Sequence, residues 1–190
     1  MSTTVVVHKD NQIAIAADTL TVYGPTLEGA DLVANPSKIV KYRSSYLAAV
    51  GPASIQLALQ SFFSNGAPAH DLDSELDIFH FAQELHEYFK DKLHLNPKED
   101  DDDPFESSQF CALIANKSGI YGLYTLRSVQ KYRKYCAQGS GYRYALGALA
   151  ALYSQKGSAK QIAKRAIEIT ADLHDATATP VDVFAVRAAK

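Results

Sequence analysis

The chain has 190 residues, 47% of them hydrophobic, and a formal net charge of −2 at pH 7, which predicts one domain (residues 1–190) with a sizeable core. Its 19 lysines and arginines are scattered and outnumbered by 21 acidic residues, which argues against a nucleic-acid-binding surface. No run approaches the roughly 20 apolar residues of a membrane span and no secretory signal pattern is seen, so a cytoplasmic protein without membrane contact is predicted.

The first half of the chain predicts strands followed by two helices. Apolar runs bounded by polar turns predict four strands at residues 3–7, 13–18, 38–42 and 46–50. Pro52 suits the first turn of a helix that ends at Asn65-Gly66. Ser74 is predicted to cap a longer helix, which continues to Asn96-Pro97.

The second half repeats this order after an acidic segment. Five successive acids, Glu99, Asp100, Asp101, Asp102 and Asp103, repel one another and predict a loop closed by Pro104. Strands are predicted at residues 110–115, 120–125, 135–138 and 181–186, with helices at residues 142–153 and 158–173 before the last of them. This order predicts an α+β fold in which two sheets stack between helical layers.

The N-terminus begins Met1-Ser2-Thr3 and supplies a candidate nucleophile. Removal of Met1 leaves the hydroxyl of Ser2 beside a free α-amine, whose unperturbed pKa of about 7.7–8.0 suits a base at neutral pH. One residue then carries both the nucleophile and its base. The tripeptide alone is weak evidence, because many proteins begin in this way.

Four short motifs occur in a distinctive order. They are Ser2-Thr3-Thr4 running to Ala17-Asp18, Ser37-Lys38-Ile39, Leu47 to Gly51, and Gly139-Ser140-Gly141 leading into residues 144–148. In this order they resemble the β-type subunits of proteasomes, nearest to the bacterial HslV and BPH branches. The resemblance spans nearly the whole chain and implies a four-layer αββα Ntn-hydrolase fold.

The resemblance implies roles for three residues near the nucleophile. Lys38 stands where the family places a buried ammonium, which lowers the pKa of the α-amine. Asp18 would hold that ammonium by an ion pair, and the Gly51 N–H would stabilise the oxyanion, aided by a helix N-terminus beside it. The alternatives are a surface lysine, a turn-capping aspartate and a turn glycine.

Two more residues resemble the family's supporting groups. Ser140 matches its serine near the nucleophilic amine, and Asp175 matches its supporting acid, although an HslV-style alignment selects Asp172 instead. Thr177 stands where a small supporting residue is expected. A bound cation near residues 172–177 stays open, as do plain roles for these residues in loops and helix ends.

The identity of the first residue departs from the family pattern. Family members have threonine there, whereas the spacing to Asp18 places Ser2 in that position. Thr3 is the alternative nucleophile if processing removes two residues.

The implied function is hydrolysis of peptides or unfolded proteins inside a homo-oligomer of two stacked rings of about six or seven subunits. No cofactor is expected, because the serine carries its own base and the cysteines and histidines lack metal-ligand spacing. An ATP-dependent unfoldase partner stays open. Residues 99–103 are predicted to form a substrate-gating loop, with an outward solvated loop as the alternative. The rival functions are a small-molecule Ntn amidase and an inactive ring scaffold.

Overall fold

The computed structural model describes residues 2–65, 67, 71–94, 108 and 110–189. Six strands precede the first helix: β1 Thr3–Lys9, β2 Gln12–Asp18, β3 Thr21–Tyr23, β4 Thr26–Glu28, β5 Ile39–Tyr42 and β6 Ser45–Val50. The later strands are β7 Cys111–Asn116, β8 Gly119–Leu123, β9 Val129–Tyr132, β10 Tyr135–Gly139 and β11 Val181–Arg187. The α-helices are α1 Ile55–Asn65, α2 Glu75–Leu93, α3 Tyr142–Tyr153 and α4 Ala159–Ala171, and Thr125–Arg127 forms a 3₁₀ turn.

In the part of the chain that the structure describes, the strands form two antiparallel sheets and a separate small hairpin. The first sheet has the order β10-β1-β2-β11, and the second has the order β5-β6-β7-β8-β9. The β1–β2 hairpin turns through Asp10, whose φ is 53°, and pairs Thr4 with Ala17. Strands β3 and β4 pair only with each other within the described residues. The predicted hairpin and the predicted order of elements are confirmed.

Three apolar clusters among the described residues define four layers. Helices α1 and α2 cover the second sheet through residues such as Phe62, Phe81 and Leu85. Side chains of alternating register, among them Val6 and Ile15, fill the space between the sheets. Val5 points to the opposite face, where α3 and α4 cover the first sheet. The predicted αββα arrangement is confirmed.

Helix boundaries agree with the cap predictions at two N-termini. The Ser74 hydroxyl accepts from the Asp77 N–H, and Ser158 with Gln161 forms a capping box. At its other end α2 stops at Leu93, short of the predicted Asn96, because His94 adopts the left-handed conformation. None of the helices in the described ranges is long and apolar enough to cross a membrane.

The start of α1 differs from the prediction. The helix begins at Ile55, and the residues from Gly51 to Ser54 form a turn closed by the Ile55 N–H and the Pro52 carbonyl, 3.0 Å apart. Pro52 therefore precedes the helix instead of occupying its first turn. The helix N-terminus lies four residues beyond Gly51 in the chain, not directly beside it.

Candidate active site

The segment around Ser2 is held at the edge between β1 and the turn after β10. The carbonyl oxygen of Ser2 accepts from the Ser140 N–H at 2.9 Å and from the Ser140 hydroxyl at 3.5 Å. Gly139 has a φ of 95°, and a Cβ there would overlap the Ser2 carbonyl. The glycine permits this close approach of two backbones. The structure thus places Ser140 against the carbonyl of Ser2.

Thr3 is anchored on both its backbone and its side chain. Its N–H donates to Asp18 Oδ1 at 2.7 Å, and its Oγ1 lies 2.6 Å from Thr177 Oγ1. A Cβ at Gly141 would overlap the same Thr3 hydroxyl, so the glycine makes room for it. Thr3 is completely buried, whereas Ser2 is half-buried. The two adjacent hydroxyl residues therefore occupy different environments.

Lys38 and Asp18 form a buried ion pair. Lys38 Nζ donates to Asp18 Oδ2 at 2.7 Å, and their side chains are only 7% and 0% exposed. The Leu20 N–H also donates to Oδ2, at 3.1 Å. Burial lowers the pKa of Lys38 and is opposed by the negative charge and hydrogen bond of Asp18. Among the described residues, two backbone N–H groups and one ammonium donate to the Asp18 carboxylate.

A cavity of about 710 Å³ lies beside the N-terminus. Ser2, Lys38 and Gly51 all line it, so three residues with predicted roles share one space. Gly51 directly follows β6 and is exposed at this cavity. Most of the remaining wall is apolar and includes Leu20, Val22, Val33, Val40, Ala49 and Ile55. A half-buried hydroxyl, a desolvated ammonium and an apolar wall suit acyl transfer from a bound peptide to the hydroxyl.

Comparison with known proteins places the chain in a family. No family model and no curated protein matches it. Among solved structures, the BPH of Thiobacillus denitrificans is 40% identical, with 98% of each chain covered and a TM-score of 0.91. The same BPH in complex with Epoxomicin is 38% identical, with 99% of this chain and 100% of that chain covered and a TM-score of 0.91. The chain belongs to the proteasome β-type family that includes BPH.

A more distant neighbour agrees on the fold. The HslV of Trypanosoma brucei is 17% identical over 97% of this chain and 99% of that one, with a TM-score of 0.70. At that identity the likeness concerns the Ntn-hydrolase fold alone. The BPH matches, at 38% and 40% identity over nearly the whole chain, are what make this chain a proteasome-like Ntn-hydrolase peptidase by family.

In the structure of this chain, Asp175 does not lie at the site, contrary to the prediction. The Asp175 side chain is 97% exposed, and its carboxylate lies 4.0 Å from His174 Nε2. Asp172 caps the end of α4 and is also exposed. The turn after α4 directs His174 and Thr177 inward instead, and the His174 Nδ1 lies 2.9 Å from Thr177 Oγ1.

His174 is the inward-facing residue that the sequence analysis missed. The sequence signal for His174 is its position three residues before Thr177, within one turn. The resemblance of Asp175 to the family's supporting acid favoured the neighbouring residue instead. The predicted gating segment, residues 99–103, lies outside the described residues.

Proposed function

We propose that the chain hydrolyses peptide bonds with the Ser2 hydroxyl as nucleophile and the Ser2 α-amine as base. The observation that carries this proposal is the different placement of Ser2 and Thr3. Ser2 lines the cavity with Lys38 and Gly51. The Thr3 hydroxyl is buried against Thr177, and the Thr3 N–H is occupied by Asp18. This supports Ser2 over Thr3 as the mature first residue.

The proposed reaction begins once Met1 has been removed. The α-amine of Ser2 takes the hydroxyl proton as Oγ attacks the peptide carbonyl carbon, and the Gly51 N–H stabilises the resulting oxyanion. The protonated α-amine of Ser2 then gives this proton to the leaving amine as the peptide C–N bond breaks. This leaves an acyl ester on Ser2. Water then attacks that ester with the same amine as base, the bond between the acyl carbon and Oγ breaks, and the peptide leaves as a carboxylic acid while Oγ regains its proton.

Lys38 supplies positive potential where this proposal needs it. A neighbouring ammonium lowers the pKa of the α-amine and favours ionisation of the hydroxyl. The buried pairing with Asp18 holds the ammonium in place, at 2.7 Å. Asp18 also receives the Thr3 N–H, so one carboxylate fixes the positions of both the lysine and the residue that follows the nucleophile.

The proposal extends to inhibitor chemistry and to substrate. One BPH structure contains Epoxomicin, an α′,β′-epoxyketone. We expect this chain to react with the same class of compound, which bonds to a hydroxyl and an α-amine on one residue. Peptides and unfolded proteins are the expected substrates. The apolar wall of the cavity is the surface on which their side chains would lie.

We also propose assembly into two stacked rings of about six or seven subunits that enclose the Ser2 sites. Light scattering of the native protein should show one species with the mass of two such rings. This species should cleave a short fluorogenic peptide. Enclosure limits access to unfolded chains, so a folded protein should not be cut. A catalytically active monomer would contradict the ring, and a ring without peptidase activity would favour the scaffold function.

A further inference from the structure

A hydrogen-bonded chain of three side chains runs from Thr3 to the turn after α4. Thr3 Oγ1 and Thr177 Oγ1 are 2.6 Å apart, and Thr177 Oγ1 is 2.9 Å from His174 Nδ1. Thr3 is 0% exposed, Thr177 is 3% exposed, and the His174 side chain is 14% exposed. These contacts are therefore largely shielded from water, which makes their hydrogen bonds costly to lose.

Backbone hydrogen bonds fix the His174 end of this hydrogen-bonded chain. The His174 N–H donates to the Thr170 carbonyl at 2.9 Å, and the Thr177 N–H donates to the His174 carbonyl at 3.2 Å. The His174 ring also packs near the Tyr144 ring on α3, with centroids 6.0 Å apart. Because two helices and a closed turn hold His174, it is a fixed point against which Thr177 and Thr3 are oriented.

The hydroxyl protons of Thr3 and Thr177 explain why the hydrogen bonding of Thr3 depends on His174. Each threonine hydroxyl has one proton to donate and also accepts hydrogen bonds. In the bond between Thr3 and Thr177, one hydroxyl donates and the other accepts. The imidazole Nδ1 provides Thr177 with its second partner, so both hydroxyls can be satisfied together. Without that nitrogen, a buried threonine hydroxyl loses a partner and its side chain is free to change rotamer.

We propose that His174 is a positioning residue for the nucleophile and acts through Thr177 and Thr3. This rests on the proposed function of Ser2. Thr3 directly follows Ser2, and its side chain and backbone N–H are held by Thr177 and Asp18. Serine lacks the β-methyl group that restricts χ1 of threonine, so its orientation depends more on its anchored neighbour. His174 itself does not touch the reacting atoms.

The test compares two amide variants of His174. The asparagine amide reaches the Nδ1 position, whereas the longer glutamine amide reaches the Nε2 position. His174→Asn should retain most of the wild-type kcat, and His174→Gln should lower kcat roughly tenfold with KM within about twofold. Thr177→Val should match His174→Gln, and the double variant should be no slower than either single variant, because both changes break one chain.

Thr170→Val is the matched control. It removes another buried hydroxyl in the same region, but that hydroxyl donates to Ala166 O within α4, at 2.8 Å. Its kcat should equal that of the wild type. Thermal unfolding establishes whether each variant is folded. If His174→Gln does not fold, Thr177→Val is used to test the proposal.

Four results would overturn the positioning role in an active wild type, and three of them involve His174. They are a folded His174→Gln enzyme with normal kcat, equal losses in the asparagine and glutamine variants, and additive losses in the double variant. A folded Thr177→Val enzyme with normal kcat would also overturn it. A wild type that cleaves no peptide defeats the proposed function instead, so the two failures are distinguishable.

Discussion

Replacing Ser2 by alanine should lower kcat for a short fluorogenic peptide by on the order of 10³-fold or more, with assembly and melting temperature unchanged. The change removes the attacking oxygen, and no other residue in the proposed mechanism supplies one. Ser2 is half-buried at a cavity, so truncating its side chain removes little packing. Steady-state peptide hydrolysis and thermal unfolding measure the two effects.

Two further substitutions, one at Ser2 and one at the next residue, serve as controls. Ser2→Thr keeps a hydroxyl at the same position and should remain active. Thr3→Val keeps the shape of the buried side chain but breaks its contact with Thr177, so it should lose only about tenfold in kcat. Normal turnover in Ser2→Ala together with an inactive Thr3→Val would make Thr3 the nucleophile.

Replacing Lys38 by alanine should reduce both activity and stability. Loss of the ammonium should lower kcat on the order of 10²-fold or more, because the α-amine and hydroxyl lose their positive neighbour. The same change leaves the fully buried Asp18 without its ion-pair partner, which costs about 3–5 kcal/mol in comparable cases. The burial of the pair therefore indicates a lower melting temperature for this variant.

A double variant separates these two effects. Asp18→Asn with Lys38→Met removes both charges, and the asparagine oxygen can still accept from the Thr3 N–H. The double variant should therefore recover much of the melting temperature lost by Lys38→Ala, but not its peptidase activity. Recovery of activity with stability would show that Lys38 has only a structural role.

The elements that the sequence predicted well are those with local signals. The β1–β2 hairpin has two apolar runs around a polar turn, and the start of α4 has a serine with a glutamine three residues later. Strands β3 and β4 have three residues each, too few to show a period of two. The prediction that Pro52 lies in the first turn of α1 was wrong because proline also suits the turn that leads into a helix.

The active site was predictable only in part. Its N-terminal side follows from the 16-residue spacing between Ser2 and Asp18, and the structure pairs the Thr3 N–H with Asp18. The roles of Lys38 and Ser140 came from family resemblance, because residues distant in sequence meet only in the folded protein. His174 and Asp175 are adjacent, and packing of the turn decides which one faces inward. No local pattern records that packing.

The most direct test of Ser2 as both nucleophile and base is to release its α-amine on demand. A protein carrying an N-terminal extension, removable by a protease directly before Ser2, should neither cleave peptides nor react with an α′,β′-epoxyketone. After removal of the extension, both activities should appear, and tandem mass spectrometry should find the adduct on Ser2 at its amine and hydroxyl together. Reaction of the extended protein, or an adduct on Thr3, would contradict the assignment.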